Sequence, residues 1–123
     1  MIHMKVQPEQ DLVSLKVEAR LIEEDYDQVL PEIERLIDSC GALRFIVDVT
    51  ALQAVEPKAL LRDILFDLKH REAYRRVAMI GDRTWQQWVT TLSQPLVGGD
   101  MKYFRPEQRE EAENWVRQDR ADA

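Results

Sequence analysis

From Val13 to Leu21 apolar residues fall on every second position: Val13, Leu15, Val17, Ala19 and Leu21 on one side, Ser14, Lys16, Glu18 and Arg20 on the other. A period of two with one polar side predicts a half-exposed strand over residues 12–21. A shorter extended piece, Ile2 to Gln7, ends at Pro8 and is placed to pair with it antiparallel at a sheet edge. The period then changes. Tyr26, Val29, Leu30, Ile33, Leu36, Ile37 and Cys40 form one apolar stripe at helical spacing, with Asp25 as a candidate N-cap and Gly41 as the stop. Pro31 lacks the amide that an interior helical position uses, so a short first turn is expected before a main helix that starts near it. Leu43 to Val49 reads as a fully buried strand, the near-continuous kind found where a sheet is covered on both faces.

A second helix is expected from Glu56-Pro57 to Arg71, with Leu60, Leu61, Ile64, Leu65 and Leu68 inward and Pro57 in its first turn. Val77 to Ile80 is a further buried strand, closed by Gly81-Asp82. Thr84 followed by Gln87 matches a capping box that opens a third helix carrying Trp85, Trp88, Val89, Leu92 and Leu96. Pro95 and Gly98-Gly99 end it, Met101 to Phe104 makes a last strand, and Pro106 begins a terminal helix with Ala112, Trp115 and Val116 inward. Strands that alternate with helices in this way predict an α/β fold with right-handed crossovers and a largely parallel sheet. The length, 123 residues, suits one domain over 1–123, and neither an internal repeat nor a low-complexity stretch divides it.

Composition narrows the function. The net charge of −6 disfavours a nucleic-acid binder, whose affinity comes mostly from neutralising phosphates. Seven cations (Lys58, Arg62, Lys69, Arg71, Arg75, Arg76, Arg83) stand against four acids (Asp63, Asp67, Glu72, Asp82) between residues 58 and 83, a local +3 that leaves −9 for the rest. Such asymmetry orients a protein toward an anionic surface or simply marks solvated helix ends. No apolar run approaches the twenty residues that span a bilayer, and Met1 to Val6 lacks a secretory h-region, so a cytoplasmic location is expected. Cys40 is the only cysteine, which removes internal disulfides and cysteine-built zinc sites and leaves it a packing role at a helix end.

Several stretches together resemble the SpoIIAA-like family, a bacterial relative of the STAS domains of anti-sigma-factor antagonists. They are the Tyr26 to Ile37 helix with Pro31, the strand Leu43 to Asp48, Asp67-Leu68-Lys69-His70-Arg71, Arg76 to Asp82, Trp85-Gln86-Gln87-Trp88 and Lys102-Tyr103-Phe104. The resemblance implies a single-domain α/β fold with a four- to five-stranded, mostly parallel sheet flanked by helices. It does not imply an enzymatic activity, and no cofactor is expected. It also implies a hydrophobic cavity that a mobile helix covers, and with it membrane association. STAS antagonists are switched by phosphorylation at the start of the helix after the second core strand. Here that place reads Glu56-Pro57-Lys58, with no hydroxyl, and Thr50 is the nearest candidate acceptor.

Enzyme signatures are weak. Asp48 and Asp82 are expected near the C-terminal ends of parallel strands, where open α/β sheets place a ligand crevice, yet each also suits a turn or helix cap. His70 lies between Lys69 and Arg71 at a helix end that already accounts for it. There is no Gly-rich phosphate loop, His-x-x-x-His pair or Gly-x-Ser-x-Gly elbow, and no metal site is expected. The reading that follows is a non-enzymatic binding module. Residues 84–97 form a mobile helix over an apolar pocket lined by Trp85, Trp88, Leu92 and Leu96, with Leu61 and Leu65 as its floor and Gly81, Gly98 and Gly99 as hinges. Its ligand is an apolar or lipid-like small molecule, and a peripheral contact with a membrane surface extends it. The uncharged polar face, Gln86, Gln87, Thr90, Thr91 and Gln94, lacks the cations of a membrane-surface helix, so the same stripe equally reads as an ordinary core face. The alternative is a STAS-like regulator that docks a protein partner near residues 50–60. A homodimer is a further expectation, from the apolar content and the edge strands.

Overall fold

In the computed structural model, which describes residues 1–118, five strands form one sheet in the order β1-β2-β4-β6-β7. They are β1 (Ile2–Gln7), β2 (Leu12–Val17), β4 (Leu43–Asp48), β6 (Tyr74–Ile80) and β7 (Asp100–Phe104). β1 runs antiparallel to β2, and every other neighbouring pair is parallel. The four helices are α1 (Tyr26–Cys40), α2 (Pro57–Lys69), α3 (Thr84–Ser93) and α4 (Arg109–Arg117). β3 (Ala19–Leu21) and β5 (Leu52–Val55) make a separate two-stranded parallel sheet.

The strand expected over residues 12–21 is therefore two strands. Ala19 takes a left-handed φ of 58°, which turns the chain out of the main sheet at Glu18, and its amide bonds the Ala51 carbonyl (2.9 Å) at the start of the small sheet. Alternation runs on through the break, although Ala19 is exposed and only Leu21 of β3 is buried, so the pattern carried no sign of it. The strand Leu52–Val55 was likewise not expected. Pro31 lies inside a continuous α1 rather than near its start. Asp25 makes no cap to α1; its Oδ2 accepts from the Ile22 amide (2.9 Å), closing a 3₁₀ turn ahead of the helix. Cys40 is half-buried at the end of α1, next to Gly41 at φ 84°.

The sheet is buried on both faces. On one, Val13, Val17, Leu43, Phe45 and Val77 pack against Tyr26, Val29, Leu30 and Ile33 of α1 and Ala59 and Phe66 of α2. On the other, Leu12, Ile46, Ala78, Ile80 and Phe104 pack against Ala112 and Val116 of α4. Two buried arginines fix α4 by its C-terminal carbonyls, groups that a helix leaves without internal partners. Arg44 donates to Val116 O (2.9 Å) and Gln118 O (2.8 Å), and Arg76 donates to Trp115 O (2.7 Å) while its guanidinium lies 4.6 Å over the Trp115 ring. Arg44 and Arg76 face one another across the β4–β6 pair. Among the described residues no helix is long and apolar enough to cross a membrane.

Candidate functional site

Between the sheet and helices α1 and α2 lies a cavity of about 110 Å³. Val17, Val29, Ile33, Phe45, Val77 and Met101 supply much of its wall, and α2 presents Asp63, Phe66 and Asp67 to it. None of the residues expected to line a pocket reaches this one. Leu61 and Leu65 are 57% and 58% exposed, Trp88 and Leu92 68% and 76%, Trp85 is also exposed, and Leu96 is half-buried outside the cavity lining. The cavity lies under α1 and α2, not under α3.

The correction for α2 is one of rotation. Leu60, Leu61, Leu65 and Leu68 all face outward, while Ala59 and Phe66 are buried. Polar contacts pin this orientation. Arg62 donates to Glu23 O (3.1 Å) and Asp27 Oδ1 (2.5 Å), Tyr74 donates its hydroxyl proton to Asp67 Oδ1 (2.6 Å), and the His70 ring stacks at 4.5 Å on Phe66 with Nε2 3.4 Å from Glu34 Oε1. Periodicity shows that a helix has an apolar side; it does not show what that side meets.

The same inversion holds for α3. Its buried side chains are Gln86 and Thr90, at 2% and 1% exposure, from the face expected to be polar and outward. Gln86 Nε2 donates to Val49 O (2.7 Å) and Leu52 O (3.3 Å), and Oε1 accepts from the amides of Asp82 (3.0 Å) and Arg83 (3.3 Å). One buried amide thus closes the start of α3 and ties it to the β4–β5 loop, in place of the expected Thr84/Gln87 box. Thr90 Oγ1 donates back to Gln86 O (2.9 Å). With its hydrogen bonds complete, the buried glutamine leaves no polar group unsatisfied.

The expected hinge glycines have packing roles in this state. A methyl group on Gly99 would stand 2.1 Å from Arg75 O and 2.3 Å from Tyr74 O, and one on Gly98 2.5 Å from Arg71 O. At Gly81 it would stand 2.6 Å from Gln86 Oε1. None of the three has a left-handed φ.

The acid residues divide into two kinds. Asp48, at the end of β4, accepts from the Thr50 amide (2.9 Å) and hydroxyl (2.7 Å) and pairs with Arg109. Burial works to raise its pKa; the Thr50 bonds and Arg109 outweigh it and hold the carboxyl below its usual range. Asp82 is exposed, and His70 is at the opposite end of α2 from the β4–β5 loop, beside the chain entering β6. No group of three or more His, Cys, Asp or Glu suited to a metal occurs among the described residues. Asp63 and Asp67 differ. Desolvation raises both well above the ordinary carboxylate range, with the Asp67 charge adding to the rise at Asp63 and the Tyr74 bond opposing it at Asp67. Desolvation also raises Tyr26 and Tyr74, so both remain phenols at physiological pH. The sequence signal for this pair was two acids four apart on a helix otherwise rich in leucine, a spacing that puts both on one face.

A parallel sheet with one antiparallel edge strand, helices on both faces and an internal cavity defines a small α/β domain of STAS-related type. The SpoIIAA-like family model matches residues 12–117, and the chain belongs to that family. The fold is also that of a crystal structure of an uncharacterized protein from the DUF3478 family, with a SpoIIAA-like fold, from Shewanella loihica PV-4. That protein is 28% identical, with 94% of this chain and 92% of that one covered and a TM-score of 0.77. No curated protein matches the chain.

Proposed function

We propose that this SpoIIAA-like domain is a non-enzymatic binding module whose cavity between the sheet, α1 and α2 takes a small ligand with an apolar body. The observation that carries this reading is the cavity itself, about 110 Å³ behind walls that are mostly aliphatic and aromatic. A void of this kind forfeits packing contacts that an occupant restores. Set beside an apolar cavity of about 150 Å³ that holds a benzene ring, the volume suits a body of roughly four or five carbons. It suits a short aliphatic or small aromatic body, and a long acyl chain enters only if α1 and α2 separate. Calorimetric titration with the straight-chain alcohols from propanol to octanol tests the reading. Affinity should rise with length to about four or five carbons and then level or fall. A steady gain through octanol, the behaviour of an open surface, would count against it.

A second reading rests on a separate observation, the outward leucines of α2 and the exposed Trp85, Trp88, Val89 and Leu92 of α3. Exposed apolar helix faces of this size mark contact surfaces. Lys58 and Lys69, both exposed, belong to the locally cationic segment, which favours an anionic membrane surface as the contact. Co-sedimentation with anionic but not neutral vesicles, lost in Leu61→Ser/Leu65→Ser and in Trp88→Ser/Leu92→Ser, is the expected result. Equal binding by the variants would exclude these faces.

A further inference from the structure

The cavity wall is apolar apart from Asp63 and Asp67 of α2 and the hydroxyl-bearing Tyr26 and Tyr74. Asp63 and Asp67 both line it, and no Lys, Arg or His does among the described residues. Arg62 is engaged with Glu23 O and Asp27, and the His70 ring lies against Phe66 with Nε2 near Glu34. Asp67 has one hydrogen bond, from Tyr74, and Asp63 accepts none from the described residues. Asp63 and Asp67 stand half-buried side by side at the cavity, and the Asp67 charge opposes a second charge at Asp63.

We infer that the cavity selects a protonated primary amine carried on a short aliphatic body, its ammonium seated between Asp63 and Asp67. This rests on the reading of the cavity as a ligand site. An ammonium brings three donors and a positive charge to carboxyl oxygens that lack both, and the four-residue spacing puts the two acids on the same face, about 5–6 Å apart at Cβ. Tyr74 fixes one oxygen of Asp67 and leaves the other to accept. A carboxylate ligand of the same shape meets like charge in a low-dielectric site and is rejected. A neutral alcohol fills the volume but leaves the acid pair as it was.

The test compares three ligands of equal length, pentylamine, pentanol and pentanoate, by calorimetry near neutral pH against the wild type, Asp63→Asn and Asp67→Asn. Amine binding at least about tenfold tighter than alcohol, with no detectable pentanoate binding, is expected. In Asp63→Asn the amine should lose part of that advantage, while the alcohol itself is unaffected. Asn is isosteric and carries no charge to desolvate, so this variant folds at least as well as the parent, which a thermal melt verifies. Asp67→Asn provides an independent second removal. If the alcohol binds and the amine gains nothing, or if neither substitution changes amine affinity, the inference fails while the cavity reading stands. If none of the three binds, both fail.

Discussion

Asp63 and Asp67 give the protein a definite pH dependence. Their folded pKa values are raised above those of the unfolded chain, so the folded state holds more protons through the interval between the two. Stability is therefore greatest below the unfolded value, about 4, and falls as pH rises from there through neutrality. The other ionisable groups around the pair are Tyr26 on α1, Tyr74 on β6, and Arg62 and His70 on α2. Burial keeps both tyrosine hydroxyls protonated throughout this range, and a charge at His70 acts to lower Asp67. Urea midpoints from pH 4 to 8 should decline, and Asn at position 63 should flatten that decline and raise stability at pH 8 by about 1–2 kcal/mol. A parent whose midpoint rises over this range would show that the carboxyls are not desolvated. At the same scale, Arg44→Met removes the donor shared by the Val116 and Gln118 carbonyls, with an expected loss of about 2–3 kcal/mol on chemical denaturation. A loss within 0.5 kcal/mol, on the order of an ordinary surface change, would mean that α4 does not depend on it.

Among the elements, α3 separates sequence expectation from structure most sharply. A core tryptophan helix predicts a large loss for Trp88→Ser; an outward Trp88 predicts a change within about 0.5 kcal/mol. Gln86→Leu, by contrast, strands the Val49 carbonyl and the amides at the start of α3, for an expected cost of about 2–4 kcal/mol. Measured side by side, the two substitutions should rank opposite to their hydrophobicity, and the reverse ranking would return the tryptophans to the core. Gly99→Ala belongs to the same scale. Its methyl would meet the Tyr74 and Arg75 carbonyl oxygens where β7 departs from β6, so the substitution should destabilise strongly on thermal unfolding. A harmless Gly99→Ala would restore the hinge reading.

At the scale of the molecule, the fold was legible where local pattern and topology agree. The continuous apolar strands at Phe45 and Val77, the alternation at Val13 and the interleaved helices sufficed for a mostly parallel sheet, while the family rested on the resemblance of ordered sequence stretches. The candidate site was not legible, for a physical reason. Leu61, Leu65, Trp88 and Leu92 satisfy the rule that apolar stripes face inward, and the rule gave way to polar side chains whose partners are distant in sequence: Gln86 with Val49, Asp67 with Tyr74, Arg62 with Asp27. Rotations set by such contacts leave no trace in periodicity. The homodimer expected from the edge strands now has definite edges, β1 and β7, and sedimentation showing only the 14.5 kDa species at micromolar concentration would count against it.

The most direct test of the central claim, that ligands enter the chamber under α1 and α2, is methyl NMR under xenon pressure. Xenon is an uncharged probe that fills dry apolar cavities irrespective of headgroup chemistry. Shifts concentrated on the methyl groups of Val17, Val29, Ile33 and Val77 are predicted, with Leu61, Leu65 and Leu92 unmoved. Shifts confined to Leu61, Leu65 and Leu92, with the cavity methyls silent, would contradict the account.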